Sequence, residues 1–307
     1  MLSKNTVFIL GAGASRPYDF KTGRGQLDWA RSLGREGIAT YIKPCQPMYA
    51  PPLYSRLVDT AEKSIDAMLP ANSPLLPAAK ALIVNDLLRC ERNLVIPPSE
   101  LDTFWYRTLW ENIPRGTLNQ FRRAPLTIFT FNYDRSLDYF LWRGLVAAFP
   151  DASPVQIAEA LDSVGPFHLH GHLGRLYHES NGTGDVVQFG GDSSEGGVMN
   201  ANVQVGIDNI KLISETTAND ESFVRAQNAI SAAQQLVFLG FGFHNENITK
   251  LSLRNCLNAQ TSIWGSAYGL TEQQTGHLRT KHGLYGTFGQ EGWGVARCLA
   301  MFPQILD

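Results

Sequence analysis

Val7-Phe8-Ile9-Leu10-Gly11-Ala12-Gly13-Ala14-Ser15 follows a short polar lead, and its reading decides the fold. Four consecutive apolar residues run into a Gly-rich turn. A strand with one wet face would alternate apolar and polar residues; this one does not, so both of its faces are expected to be buried. Four further runs share the form. Leu126 to Phe131 ends at Asn132-Tyr133-Asp134, and Val164 to Leu169 ends at His170-Gly171. Leu236 to Leu239 ends at Gly240-Phe241-Gly242-Phe243, and the weaker Ser262-Ile263-Trp264 ends at Gly265. Short apolar strands that close on Gly or polar residues are those of a parallel sheet with helices on both faces.

The segments between these runs read as helices. Asp134 to Phe149 carries Leu137, Phe140, Leu141, Leu145 and Ala148 at helical spacing. Ser153-Pro154 opens another, with Ser at the N-cap and Pro at the first helical position. Asn219 to Gln235 and Thr271 to His282 follow, the latter with Thr271 and Gln274 placed for a capping box. Strands alternating with helices give the expected fold class: α/β, a doubly wound, mostly parallel Rossmann-like sheet in a single domain over 1–307. Two stretches stand outside the alternation. Residues 24–122 contain no convincing buried strand and are read as a helical insertion, with helices around 54–69, 76–94 and 99–113 separated by prolines. Residues 179–206 are rich in Gly, Asn, Ser and Asp and read either as a surface loop or as a mobile flap near a site.

Composition narrows the function. The 307 residues are 44% apolar and 18% charged, which suits a soluble globular chain with a substantial core. With 26 basic and 28 acidic residues the net charge is -2, which argues against a basic nucleic-acid binder. No apolar run approaches the roughly 20 residues of a membrane helix, and Val7 to Leu10 is too short for a signal peptide. Cys45, Cys90, Cys256 and Cys298 are widely spaced, so neither a Cys-built zinc site nor a disulfide framework is expected and a reduced, cytoplasmic protein follows.

The strand ends carry the chemistry. Glycines at Gly11 and Gly13 allow close backbone approach, and amides at a following helix N-terminus can hold a phosphate. Arg16 stands where the dinucleotide fingerprint has its third Gly, and Arg31 to Gly34 offers no acidic strand end, so a hydride-transfer dehydrogenase is not indicated. At Asn132-Tyr133-Asp134, Asp134 reads as the cap of the next helix and Asn132 as the residue free to contact substrate. His168, His170 and His172 would share one strand face by alternation; their company is poor in carboxylates, which favours proton transfer over metal binding. Gly240 to Ile248 and Gly265 to Leu270 repeat the design and would wall the same crevice.

Taken together these stretches resemble the sirtuin family of NAD⁺-consuming enzymes. Gly11-Ala12-Gly13-Ala14-Ser15 is similar to its opening Gly-Ala-Gly-x-Ser, Phe131-Asn132-Tyr133-Asp134 to its Thr-x-Asn-x-Asp, and His170-Gly171 to its catalytic His-Gly. Leu239 to Gly242 lies where that family has Gly-Thr-Ser. Pro17-Tyr18-Asp19-Phe20-Lys21-Thr22-Gly23 looks most like the bacterial sirtuin-like NADases of antiphage defence, with Lys21 in place of a Pro; the four-Cys zinc ribbon of the protein deacylases is absent. The resemblance implies an NAD⁺ hydrolase that releases nicotinamide and ADP-ribose and needs no metal. It implies Asn132 and His170 as catalytic residues, Asn132 orienting the ribose or the attacking water and His170 accepting a proton. Gly11, Ala12, Gly13, Ala14 and Ser15 would hold the pyrophosphate, and Phe20 and Thr22 the nicotinamide side. Gly240, Gly242 and Ser266 would line the adenosine half, with Asp134, Phe241 and Asn247 completing the NAD⁺ contacts.

A free NADase would poison its own cell, so gating by oligomerisation or by a separate sensor or regulatory protein is expected. The chain ends at Asp307 without an evident sensor domain, which points the same way. The competing expectations are an NAD-dependent protein deacylase and a non-catalytic module that senses NAD⁺ or ADP-ribose.

Overall fold

In the computed structural model, which describes residues 1–43, 45, 47–94, 105–176, 186–191 and 201–307, the opening apolar run is strand β1, Thr6–Leu10, buried at every position. It is followed by two single-turn 3₁₀ helices, Ala12–Ala14 and Arg16–Tyr18. Helices α1 (Gly23–Ser32), α2 (Gly34–Tyr41), α3 (Ala50–Asp59), α4 (Leu76–Asn93), α5 (Trp105–Asn112) and α6 (Leu118–Arg122) precede β2 (Leu126–Thr130). Then come α7 (Ser136–Ala148), α8 (Pro154–Val164), β3 (Phe167–His168), α9 (Ala201–Asn209), α10 (Glu221–Ala232) and β4 (Gln235–Leu239). The chain closes with α11 (Asn245–Lys250), α12 (Leu253–Cys256), β5 (Ser262–Gly265), α13 (Glu272–His282), β6 (Thr287–Phe288) and α14 (Val295–Met301).

The strands form one sheet of order β3-β2-β1-β4-β5-β6, with every pairing parallel. This is the strand order of the doubly wound dinucleotide-binding architecture, whose order reverses between β1 and β4. The register explains the uninterrupted apolar runs. Phe8, Leu10, Ile128, Val237 and Leu239 face a core shared with the helices between β1 and β2, while Val7, Ile9, Phe129, Leu236 and Phe238 face a second core built with Phe223, Ala226 and Ile230 of α10 and Leu278 of α13. Both faces are dry, so neither alternate set is polar. Leu10 pairs with Thr130 on one side and with Leu239 on the other, so three strands end level, at Gly11, Phe131 and Gly240.

Several boundaries differ from the sequence reading. The run 164–169 is a strand only at Phe167–His168, because α8 continues through Val164 and Gly165-Pro166 follows. The helix expected over 54–69 is α3, which begins earlier, with Pro51 and Pro52 inside its first turn, and stops at Asp59. Proline there opens a helix instead of separating two, since the first-turn amides lack intrahelical acceptors. Ala201–Asn209 is helical, so the last part of the 179–206 loop reading is corrected; residues 179–185 and 192–200 lie outside the described residues, as do 99–104 of the helix read over 99–113. The short strand β6 was not read from the sequence; two residues, one exposed, leave no periodic signal. Among the described residues no helix is long and apolar enough to cross a membrane.

Candidate functional site

The glycines after β1 are explained first by packing. The Gly13 amide donates to the Gly240 carbonyl at 2.9 Å and the Gly11 amide to the Leu239 carbonyl at 3.1 Å. A Cβ on Gly11 would stand 2.7 Å from Phe241 Cα, and one on Gly13 2.8 Å from the Gly240 oxygen. Gly240 itself has φ +60°, and a Cβ there would meet the Ala14 nitrogen at 2.0 Å. The turns after β1 and β4 therefore interlock at the point where strand order reverses. The α-helix N-terminus expected to present amides to a phosphate is a three-residue 3₁₀ turn, and its Gly13 and Ala14 amides are already engaged by the Gly240 and Gly11 carbonyls. Ser266 is buried and its hydroxyl accepts from the Gly240 amide at 2.7 Å, so it ties β5 to the same turn. Gly242 is exposed, and Phe241 packs among Phe131, Phe238 and Phe243.

The cleft lies one strand over, between the ends of β1 and β2 and the helical segment above them. It is partly open to solvent, has a volume of about 70 Å³ and is lined by Ala12, Ser15, Phe20, Asn132 and Asp134 together with Lys21, Gln26, Asp66, Phe131 and Tyr133. Asn132 is held at several points. Its Nδ2 donates to the Gly11 carbonyl at 3.1 Å and to Ser15 Oγ at 3.0 Å, and its backbone amide donates to Thr130 Oγ1 at 3.0 Å. The Gly11 carbonyl can only accept, which settles the orientation of the carboxamide. No described residue donates to its Oδ1, so a fixed acceptor remains at the cleft wall.

Asp134 does serve the start of α7, through its carboxylate, which accepts from the Ser136 amide at 3.2 Å and from the Ser136 hydroxyl. Burial pushes this carboxyl above the usual range, opposed by the hydrogen bonds of Ser136 and Ser15. Arg135 next to it forms a fully buried pair with Glu91 of α4, Nη2 to Oε2 at 2.6 Å and Nε to Oε1 at 3.1 Å, and also donates to the carbonyls of Gly174 and Val187. This clamps the loop after β2 to the helical segment. Phe20 is buried in the cleft wall. Thr22 does not line the cleft; it is the N-cap of α1 and accepts from the Gly25 amide at 3.3 Å.

The three histidines do not share a face. The strand ends at His168 and Gly171 takes φ +77°, so alternation stops where it would have aligned them. His168 and His172 stay together, ring centroids 5.0 Å apart, in a second cleft at the β3 edge that also holds Asp138 and Arg225. His170 turns to the other side and is 1% exposed. Its ring packs 5.5 Å from Phe131 and 6.4 Å from Tyr133, both of which line the Asn132 cleft; His170 does not. Nε2 lies 3.4 Å from Asn247 Oδ1 and Nδ1 3.1 Å from the Thr216 hydroxyl, which in turn accepts from Lys250 Nζ at 2.9 Å. Burial, with Lys250 adding to it, pulls the imidazole down to about 4, so His170 is neutral at pH 7. Asn247 thus belongs to the histidine pocket.

Gln26 and Asp66 escaped the sequence reading, and Lys21 entered it only as the residue in place of a Pro. Lys21 Nζ and Gln26 Nε2 both donate to the buried Asp86, at 2.7 and 3.1 Å, a partnership across some sixty residues that no local pattern reports. Asp66 is half-buried, and burial raises its carboxyl. Thr216 and Lys250, which hold His170, were likewise not singled out, as each sits in an unremarkable polar stretch. Among the described residues no group of His, Cys, Asp and Glu side chains is arranged to hold a metal. Comparison with protein-family models, with curated proteins and with solved structures finds no match for this chain.

Proposed function

We propose that this protein is a sirtuin-like NAD⁺ hydrolase that cleaves the bond between nicotinamide and ribose, giving nicotinamide, ADP-ribose and a proton. The observation that carries the reading is the Asn132 carboxamide, fixed by Gly11 and Ser15 with its Oδ1 open to a cleft at the carboxyl ends of parallel strands. Ligands of open α/β sheets bind outside these strand ends.

The nicotinamide of NAD⁺ leaves as a neutral ring, so the leaving group needs no acid. What the chain must supply is orientation of the ribose and of the attacking water. Asn132 Oδ1 accepts from a ribose hydroxyl or from that water, and Phe20 forms an apolar wall of the cleft. Neutral His170 can take up the proton, a step worth typically 10²–10⁴-fold. Its ring packs against Phe131 and Tyr133 and does not line the cleft, so proton uptake requires these rings to move; an effector of bacterial antiphage defence would couple that movement to self-association or to a separate regulatory chain.

The burial of His170 favours one second reading, a module that binds NAD⁺ or ADP-ribose without cleaving it. Incubation of purified protein with NAD⁺, followed by mass analysis, separates the two. Release of nicotinamide that disappears in Asn132→Ala and His170→Ala supports hydrolysis. Saturable binding with intact NAD⁺ recovered supports the sensor. Wild-type turnover in both variants removes the assignment.

A further inference from the structure

His168 carries no part in the reading above, yet its contacts are unusually informative. Nδ1 lies 2.7 Å from the Asn132 carbonyl oxygen, and Nε2 lies 3.1 and 3.4 Å from the two oxygens of Asp138 on α7. Both ring nitrogens therefore face groups that accept and, in the ionised carboxylate, cannot donate. A neutral imidazole has one N–H and can satisfy only one of them. The side chain is 4% exposed, so water does not stand in for the missing bond.

We propose that His168 is an imidazolium strut, donating from Nε2 to Asp138 and from Nδ1 to the Asn132 carbonyl, and that it is a positioning residue for the Asn132 carboxamide. The backbone of Asn132 is then held at both ends of the residue, by Thr130 at its amide and His168 at its carbonyl, while its side chain is held by Gly11 and Ser15. The surrounding charges agree. Burial opposes charge on His168, but Asp138, with Asp134 beyond it, outweighs this and raises the imidazole above its ordinary value. Asp138 is held below the carboxylate range by His168 against the same burial. His172, pulled down to about 4, adds no competing cation at neutral pH. Arg135 is occupied by Glu91, and Arg175 and Arg225 line the same cleft together with Asp162 and Glu221.

If His168 loses its proton, the carboxylate keeps the remaining N–H and a bare Nδ1 faces the Asn132 oxygen. The strut then becomes repulsive, and Asn132 shifts. Replacing Asp138 by Asn changes this outcome. An Asn amide can donate to Nε2, so the neutral ring keeps its proton on Nδ1 and holds Asn132 at every pH.

The test uses the full chain. Nitrogen-15 resonances of the imidazoles report protonation directly, and the Asn132 side-chain amide resonances report position without any substrate. At about pH 7.5, above the ordinary histidine value, His168 is expected to carry protons on both nitrogens. The Asn132 amide signals should move with the same midpoint when it titrates. In Asp138→Asn, His168 should be neutral at that pH, and the Asn132 signals should no longer titrate. The effect on turnover rests on the hydrolase reading. There, kcat should fall as pH rises through the His168 ionisation, and that alkaline limb should vanish in Asp138→Asn. His168→Gln should lower kcat on the order of tenfold or more with little change in KM, the scale on which misplacement of a catalytic group is felt. A neutral His168 in the wild type, or Asn132 signals indifferent to its titration, would overturn the proposal. Absence of NAD⁺ turnover with the resonances as expected would overturn only the hydrolase reading.

Discussion

Gly13 and Gly240 meet backbone to backbone, the amide of one donating to the carbonyl of the other at 2.9 Å. Two turns that follow neighbouring strands are thereby locked into one unit. The unit fixes the position of Gly11, whose carbonyl in turn holds Asn132.

That contact makes Gly240 intolerant of change. Gly240→Ala would force an L side chain into φ +60° and place its Cβ 2.0 Å from the Ala14 nitrogen. The expected result is loss of more than about 3 kcal/mol or failure to fold, since both strain and overlap must be relieved. Gly242, two residues on, has open space at the Cβ position. Gly242→Ala should stay within about 0.5 kcal/mol of wild type. Chemical denaturation of the two variants checks the contrast, and equal effects would contradict the packing described.

The Glu91–Arg135 pair supports the loop that carries Asn132. Glu91→Ala leaves a buried guanidinium without its carboxylate, at an expected cost of about 3–5 kcal/mol. Glu91→Met with Arg135→Met should recover part of the loss by removing both charges, though the carbonyls of Gly174 and Val187 lose their donor. Midpoints from urea titrations of the single and double variants decide it. A Glu91→Ala change below about 1 kcal/mol would mean the pair is not buried in solution.

Protonation of two buried histidines should weaken the fold in acid. His170 and His172 have an ordinary value of 6.5 and are drawn down to about 4, in each case chiefly by burial. The unfolded chain therefore binds more protons between these values, and stability falls as pH drops from about 6.5 toward about 4. The ceiling is of order 3 kcal/mol for each group. His168 has the opposite sign: its raised value contributes stability that is lost as pH climbs through its ionisation. Denaturation midpoints across this range, compared between wild type and His172→Asn, isolate one share. An unchanged slope in that variant would show that His172 titrates normally.

Asn132 separates geometry from charge. Asn132→Ala removes the cleft-facing acceptor together with the two side-chain donations, so turnover should drop by about 10² or more while the cost in stability stays near 1–3 kcal/mol. Asn132→Asp keeps the shape but sets a carboxylate against the Gly11 carbonyl and Ser15. Its activity should be as low as that of the Ala variant, and its stability should fall further as pH rises. Turnover assays alongside thermal melts read both effects, and an active Asp variant would show that the donated bonds do not place this residue.

What could be read from the sequence alone was local. The apolar cores of β1, β2 and β4, the Ser153 N-cap, the Thr271 capping box and the turn after Leu10 depend on residues within a few positions of one another, and each is where it was expected. The α/β class follows from those elements and their order. The tertiary structure decided the rest, because it depends on which strands are neighbours and where each strand stops. Strand β3 ends at His168, so His168 joins Asp138 while His170 turns to Thr216 and Asn247. The approach of β4 beside β1 makes Gly13 answer to Gly240, and the helices between β1 and β2 bring Lys21 and Asp66 to the cleft wall. Hydrogen bonds between residues tens of positions apart leave no periodic trace in a chain, so only the packed sheet reveals which side chains share a wall.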